Sequence, residues 1–227
     1  MKFYSKNSDQ EYFSEFWAPQ KKFLEDEGGE LLTTDEANMH PFDDLIVKGS
    51  KGITETDAMK PRLSEDYHYF CIPYELGEEI KDSLEPETII TNLINDNLET
   101  PIFIASTDAS FGCFAKCQYI NEDIIWNFAS PHLNTPFLIF NEKKEVFALI
   151  DYDLPLQIIG YQHSIVDKHN YIANEVSQSG WDTVFDRYAS YINMPHLFDE
   201  YYRFLLPKEV VKALESMVIA PPNRPNQ

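Results

Sequence analysis

The sequence predicts an α+β protein: a central, mostly antiparallel sheet of about five or six strands, with helices at the N- and C-terminal ends. Three observations lead there. Short, strand-like apolar runs crowd the middle of the chain, apolar residues at helical spacing occupy its flanks, and the two kinds of segment are segregated rather than alternating. The clearest run is 136–161, PFLIFNEKKEVFALIDYDLPLQIIGY. Within it, 137–140 and 146–150 are joined by the polar stretch 141–145, a connection of hairpin length. Both arms are almost continuously apolar, which predicts strands covered on both faces and central in the sheet. A further apolar segment, 156–160, follows.

The remaining elements are read in chain order. Ser8 and Glu11 have capping-box spacing ahead of Tyr12, Phe13, Phe16 and Trp17, so a helix is expected there, ended or kinked at Pro19. Residues 33–61 are polar and poor in periodic apolar positions, apart from Phe42, Leu45, Ile46 and Val47, and predict an irregular surface excursion. YHYFCIP, residues 67–73, predicts a short aromatic strand. Pro86 suits the first turn of a helix carrying Ile89, Ile90, Leu93, Ile94 and Leu98 on one face, closed by Pro101. Strands are expected at 102–106, 111–120 and 123–129, the last two separated by a turn at Asn121-Glu122. Ser179 and Asp182 can cap a helix with Trp181, Val184, Phe185, Tyr188 and Ile192 inward, and two more helices are expected to start at Pro195 and Pro207. The expected organisation is one domain over 1–220 and a disordered tail, PPNRPNQ, over 221–227.

Composition narrows the function classes. A chain of 227 residues with 43% hydrophobic and 14% aromatic content can bury a core without staples. Three cysteines, Cys71, Cys113 and Cys117, form no CxxC pair and read as buried reduced thiols. The N-terminal residues lack a signal-peptide core and no long apolar run occurs, so a soluble, cytoplasmic protein without membrane contact is expected. Formal charge is −20, and residues 1–100 hold 23 of the 38 acids but 9 of the 18 bases. Nucleic-acid binding, which rests on cations at phosphates, is disfavoured, and a basic protein partner is favoured. The densest acidic stretch is 75–87, ELGEEIKDSLEPE, with Glu75, Glu78, Glu79, Asp82, Glu85 and Glu87 against one base, Lys81. These six are the candidate partner-binding residues. The tyrosines Tyr188, Tyr191, Tyr201 and Tyr202 read as helix-packing residues, with an interface role as the alternative.

Catalytic signatures are sparse. GxSxG, GxxxxGK[ST] and GxGxxG do not occur. Cys113 with His132 is the one thiol–imidazole combination to weigh as a nucleophile and base. Asp151 and Asp153 with His163 and His169 could hold a divalent metal, which defines the alternative reading, a metal-dependent hydrolase; their spacing is not diagnostic, and no metal or cofactor is expected. A third reading is an adaptor or structural subunit with a different partner. In general character the chain resembles bacterial toxin-immunity proteins, being small, acidic, aromatic-rich and α+β without a catalytic signature. The residues behind the resemblance are the acids of 75–87 and FALIDYDLPLQIIGY, 147–161. It implies a non-enzymatic protein that binds a cognate toxin, often a nuclease, and blocks its site.

Overall fold

Strand pairing explains why the 137–150 region is so apolar. The computed structural model describes residues 18–47, 62–72, 86–107, 114–129, 136–151 and 156–162. Along these run α1 (Ala18–Asp26), β1 (Glu30–Leu31), α2 (Thr34–Ala37), β2 (Ile46–Val47), β3 (Arg62–Leu63), β4 (His68–Ile72), α3 (Pro86–Asn97), β5 (Ile102–Ser106), β6 (Phe114–Cys117), α4 (Glu122–Ala129), β7 (Phe137–Asn141), β8 (Val146–Asp151) and β9 (Leu156–Tyr161). Seven strands form one antiparallel sheet in the order β1-β6-β5-β7-β8-β9-β4, and β2 and β3 form a small ladder of their own. The sheet therefore has seven strands, not five or six. The two-residue β1 is too short to leave a periodicity, and 156–161 is a full strand. The expected helices around residues 8–17, 179–192, 195–205 and 207–217, and the tail 221–227, lie outside the described residues.

The hairpin occupies the middle, as its two-sided hydrophobicity requires. Phe137 pairs with Ile150 and Phe140 with Phe147, and residues 137–140 and 146–150 are buried on both faces. One face carries Ile102, Ile104, Phe137, Ile139, Ala148, Ile150 and Ile159 and is covered by helices. From α3 come Ile90, Leu93 and Ile94, with Leu98 just beyond it, from α4 come Ile124 and Ile125, and from α1 comes Leu24. The i, i+3, i+4, i+8 spacing in α3 is what puts four side chains on one stripe. Each such side chain contributes about 1.5–3 kcal/mol when buried.

The opposite face carries Phe103, Phe114, Phe140 and Phe147, and its cover differs from expectation. Residues 33–45 are not an irregular excursion: Phe42 and Leu45 are 0% exposed, and Phe42 packs on Phe114 and Phe140 with ring centroids 6.1 and 5.7 Å apart. His40 lies on Phe103 at 4.3 Å. Thr33 and Glu36 make a reciprocal capping box at α2, the Thr33 amide and hydroxyl donating to Glu36 Oε2 at 2.8 and 2.7 Å. The sparse apolar residues of this stretch are thus anchors rather than a periodic face, which is why periodicity missed them. Residues 48–61 of the expected excursion lie outside the described residues.

A second correction concerns 123–129, which is helix α4 and not a strand. DIIWNFA is rich in β-branched and aromatic residues, but Asn121 decides the matter. Its Oδ1 accepts the Ile124 amide at 2.7 Å, an N-cap bond, and Glu122 and Asp123 sit in the first turn where the helix dipole favours acids. Asn95 fixes the approach from α3: its amide donates to the Ile120 carbonyl at 2.6 Å, and its Oδ1 accepts the Ile120 N–H at 3.0 Å. Pro19 lies in the first turn of α1, where proline is tolerated. Gly28, at φ +76°, ends α1 in the left-handed conformation that lets the chain turn into β1.

Two features of the second face join the hairpin to its cover. Gly160 lies opposite Phe147, whose ring occupies the space of a side chain there: a Cβ on Gly160 would stand 2.3 Å from Phe147 Cε1. Tyr67 stands edge-on to Phe147 at 5.1 Å, and its hydroxyl donates to the Lys144 carbonyl at 2.8 Å. Lys144 itself adopts φ 53° in the β7–β8 loop, with its amide donating to Asn141 Oδ1 at 3.0 Å, and its ammonium meets Asp44 at 2.7 Å.

Gly160→Ala is expected to destabilise the protein by about 1–3 kcal/mol in urea unfolding. Adding Phe147→Leu should recover part of that loss, because the clash belongs to the pair. Strictly additive effects would show that the ring does not sit over Gly160. Phe147→Asp, which buries an unpaired charge, should cost several kcal/mol. Asn121→Ala should cost about 1 kcal/mol through loss of the cap, and an unchanged denaturation midpoint would refute that role.

Candidate protein-binding surface

The surface is built from acids that the sheet and helices leave pointing outward. The five lysines among the described residues are each engaged by a carboxylate. Lys21 pairs with Glu25 at 3.7 Å and Lys22 with Asp26 along α1. Lys116 reaches Glu30 across the β1–β6 pair at 2.9 Å, and Lys143 meets Glu99 at 2.6 Å. Lys144 meets Asp44, as above. Hydrogen bonding to these carboxylates holds the ammonium groups of Lys22, Lys116 and Lys143 above the ordinary lysine pKa. Such exposed pairs are individually weak. Their consequence is electrostatic: among the described residues each lysine is already paired, so the exposed acids there face no lysine left without a carboxylate.

Some acids have structural work. Glu27 accepts from the Tyr119 hydroxyl at 2.7 Å and the Asn121 amide at 3.0 Å, tying the end of α1 to the entry of α4. The Glu36 carboxyl is held below its ordinary pKa by the Thr33 hydroxyl and then by its amide. Other acids face solvent. Glu65 and Asp66 are exposed immediately before β4, and Asp35, Asp43, Asp123 and Glu145 are exposed elsewhere.

The candidate residues Glu75, Glu78, Glu79, Asp82 and Glu85 lie outside the described residues, and Glu87 is described only as backbone in the first turn of α3. They follow β4 directly in the chain, as Glu65 and Asp66 precede it. That second acidic pair was missed because two adjacent acids are unremarkable until the strand beside them is known to end a sheet. Asp151 closes β8, while Asp153, His163 and His169 lie outside the described residues, as do Cys113, His132 and the tyrosines Tyr188, Tyr191, Tyr201 and Tyr202. Among the described residues no three His, Cys, Asp or Glu side chains converge as a metal-holding group. Among those residues, too, no helix is long and apolar enough to cross a membrane.

Cys117 is buried in β6, and burial pushes its thiol from 9.0 up to about 12. A neutral buried thiol is a poor nucleophile. In the unfolded chain the thiol ionises near 9.0, so the stability contributed by its burial is complete below that pH and is lost as pH climbs toward 12. Unfolding free energy should therefore fall more steeply over that alkaline range in the native chain than in Cys117→Ala; parallel curves would contradict the burial. Alkylation mapped by peptide mass spectrometry should leave Cys117 unmodified until denaturant is added.

Comparison with family models, with curated proteins and with solved structures finds no match to this chain.

Proposed function

We propose that this chain is a non-enzymatic, cytoplasmic binding protein that neutralises a basic protein partner, acting as an immunity protein that blocks a cognate toxin, with a nuclease as the partner class that best fits the charge. The observation that carries the reading is the uncompensated acid: a formal charge of −20 whose described lysines are all spent on carboxylates. A protein that acts on nucleic acid presents cations to phosphate, so its own surface is the natural complement of this one.

In this reading the acids of 75–87 steer the encounter and an apolar or aromatic centre supplies the affinity. Steering of this kind raises association rates by roughly 10 to 10³-fold and weakens as salt shortens the screening length to about 8 Å near physiological ionic strength. The test is capture of the partner from the native host, followed by association kinetics with Glu75, Glu78, Glu79 and Asp82 changed to Lys. The association rate should fall at least roughly tenfold at low salt and converge on the wild-type rate at high salt. Equal rates for variant and wild type at every salt concentration would remove these residues from the site, and the absence of any basic partner would remove the function.

A further inference from the structure

We infer that β4 is a docking edge, at which an extended, basic segment of the partner adds as an eighth strand to the sheet. This rests on the binding reading above and specifies the chemistry of the partner. The two ends of the sheet are unequal. At one end β1 offers only Glu30 and Leu31, too short to template a strand. At the other, β4 is five residues long, HYFCI, and among the described residues it has β9 as its one strand neighbour.

Which of its hydrogen-bonding groups face away from β9 follows from the register. The Gln162 amide donates to the Glu145 carbonyl at 2.8 Å, and these two residues stand opposite one another in the β8–β9 register. In an antiparallel pair, bonded and non-bonded positions alternate. Gly160 and Ile158 of β9 therefore direct their N–H and C=O toward β8, and Tyr161, Ile159 and Gln157 direct theirs toward β4. Their partners there are His68, Phe70 and Ile72. The residues between, Tyr69 and Cys71, turn their N–H and C=O away from β9, to the side where no described strand lies. Two donors and two acceptors in a row are what an added strand needs.

Charge selects the occupant. Glu65 and Asp66 are exposed just before β4. An apolar, aromatic strand entered through two exposed carboxylates, on a chain of formal charge −20, fits a segment with Lys or Arg flanking an uncharged centre. It opposes a second copy of this chain, which would bring another formal charge of −20 to the same edge.

The test uses the full chain, amide hydrogen exchange and a synthetic peptide, acetyl-KKTVTVTKK-amide, with acetyl-EETVTVTEE-amide and an N-methylated form of the basic peptide as controls. In the free protein the amides of Tyr69 and Cys71 should exchange rapidly while those of Phe70 and Ile72 are protected. Saturating basic peptide should slow exchange at Tyr69 and Cys71 by at least roughly tenfold. The acidic and N-methylated peptides should give no protection, and neither should the basic peptide with Cys71→Pro, which removes an outward N–H without touching a bond to β9. Tyr69 and Cys71 already protected in the free protein, in a manner independent of protein concentration, would show that the edge is covered within the chain. Protection that grows with protein concentration would assign the edge to a second copy. Basic peptide that leaves both amides unchanged would likewise overturn the inference. The captured partner separates this from the parent reading: unprotected Tyr69 and Cys71 in a complex that the lysine variants still slow would sink the edge and spare the acidic surface.

Discussion

A strand that is apolar on both faces has to be roofed twice, and this requirement at β7 and β8 shapes the rest of the molecule. Burying only one side would leave a row of Phe and Leu or Ile side chains in water. The helix-bearing side is a conventional solution, with stripes from α3 and α4 laid over Ile and Ala positions of the sheet. The other side is closed by the segment 33–45, a short helix and the turns after it, which packs well only where it is pinned. Phe42 and Leu45 supply the apolar weight, while Tyr67 and the Asp44–Lys144 pair attach that cover to the hairpin loop. Phe147 fits beneath because Gly160 cedes it the room of a side chain, a substitution of one residue's volume for another's that dense packing makes exacting.

How much of this could be read in advance depended on whether a signal was periodic or positional. The β7–β8 hairpin, β4, β5 and α3 are each announced by a run or a stripe of several apolar residues, and the described elements fall where those patterns place them. Residues 123–129 read as a strand because Ile, Ile, Trp and Phe suit one, yet they form a helix; a single polar atom, the Asn121 side-chain oxygen on the Ile124 amide, makes the difference. The same limit applies to 33–45, where two buried anchors leave no period. Of the binding surface, the acidic bias was legible as composition. The pairing of each described lysine was not, since Glu30 and Lys116 are brought together only by the sheet.

Electrostatics and topology meet at one end of the sheet. Pairing the described lysines locally costs little and stabilises little, and the chain keeps a formal charge of −20. A strand edge inside such a field is protected from self-association by repulsion, the purpose that inward charges or prolines serve at other edges. In the proposed docking mode the same field would make that edge selective for cations. One distribution of charge can thus keep the protein apart from its own copies and bring it toward a basic partner.

The order in which the sheet closes adds a kinetic side to its geometry. Strands β5 to β9 follow one another along 102–161 and can pair with short excursions, whereas β1 must find β6 from 86 residues away, as Glu30 and Lys116 do. Tyr67 and Gln162 close a loop of comparable span, 95 residues, where β4 joins β9. Closing such loops costs chain entropy before any contact repays it, so the meander is the natural nucleus and the two outer strands are added late. By the same reasoning β4 is among the first strands to open in the native ensemble. A partner strand laid along it would bind and brace at once, and the complex would resist unfolding from that end of the sheet.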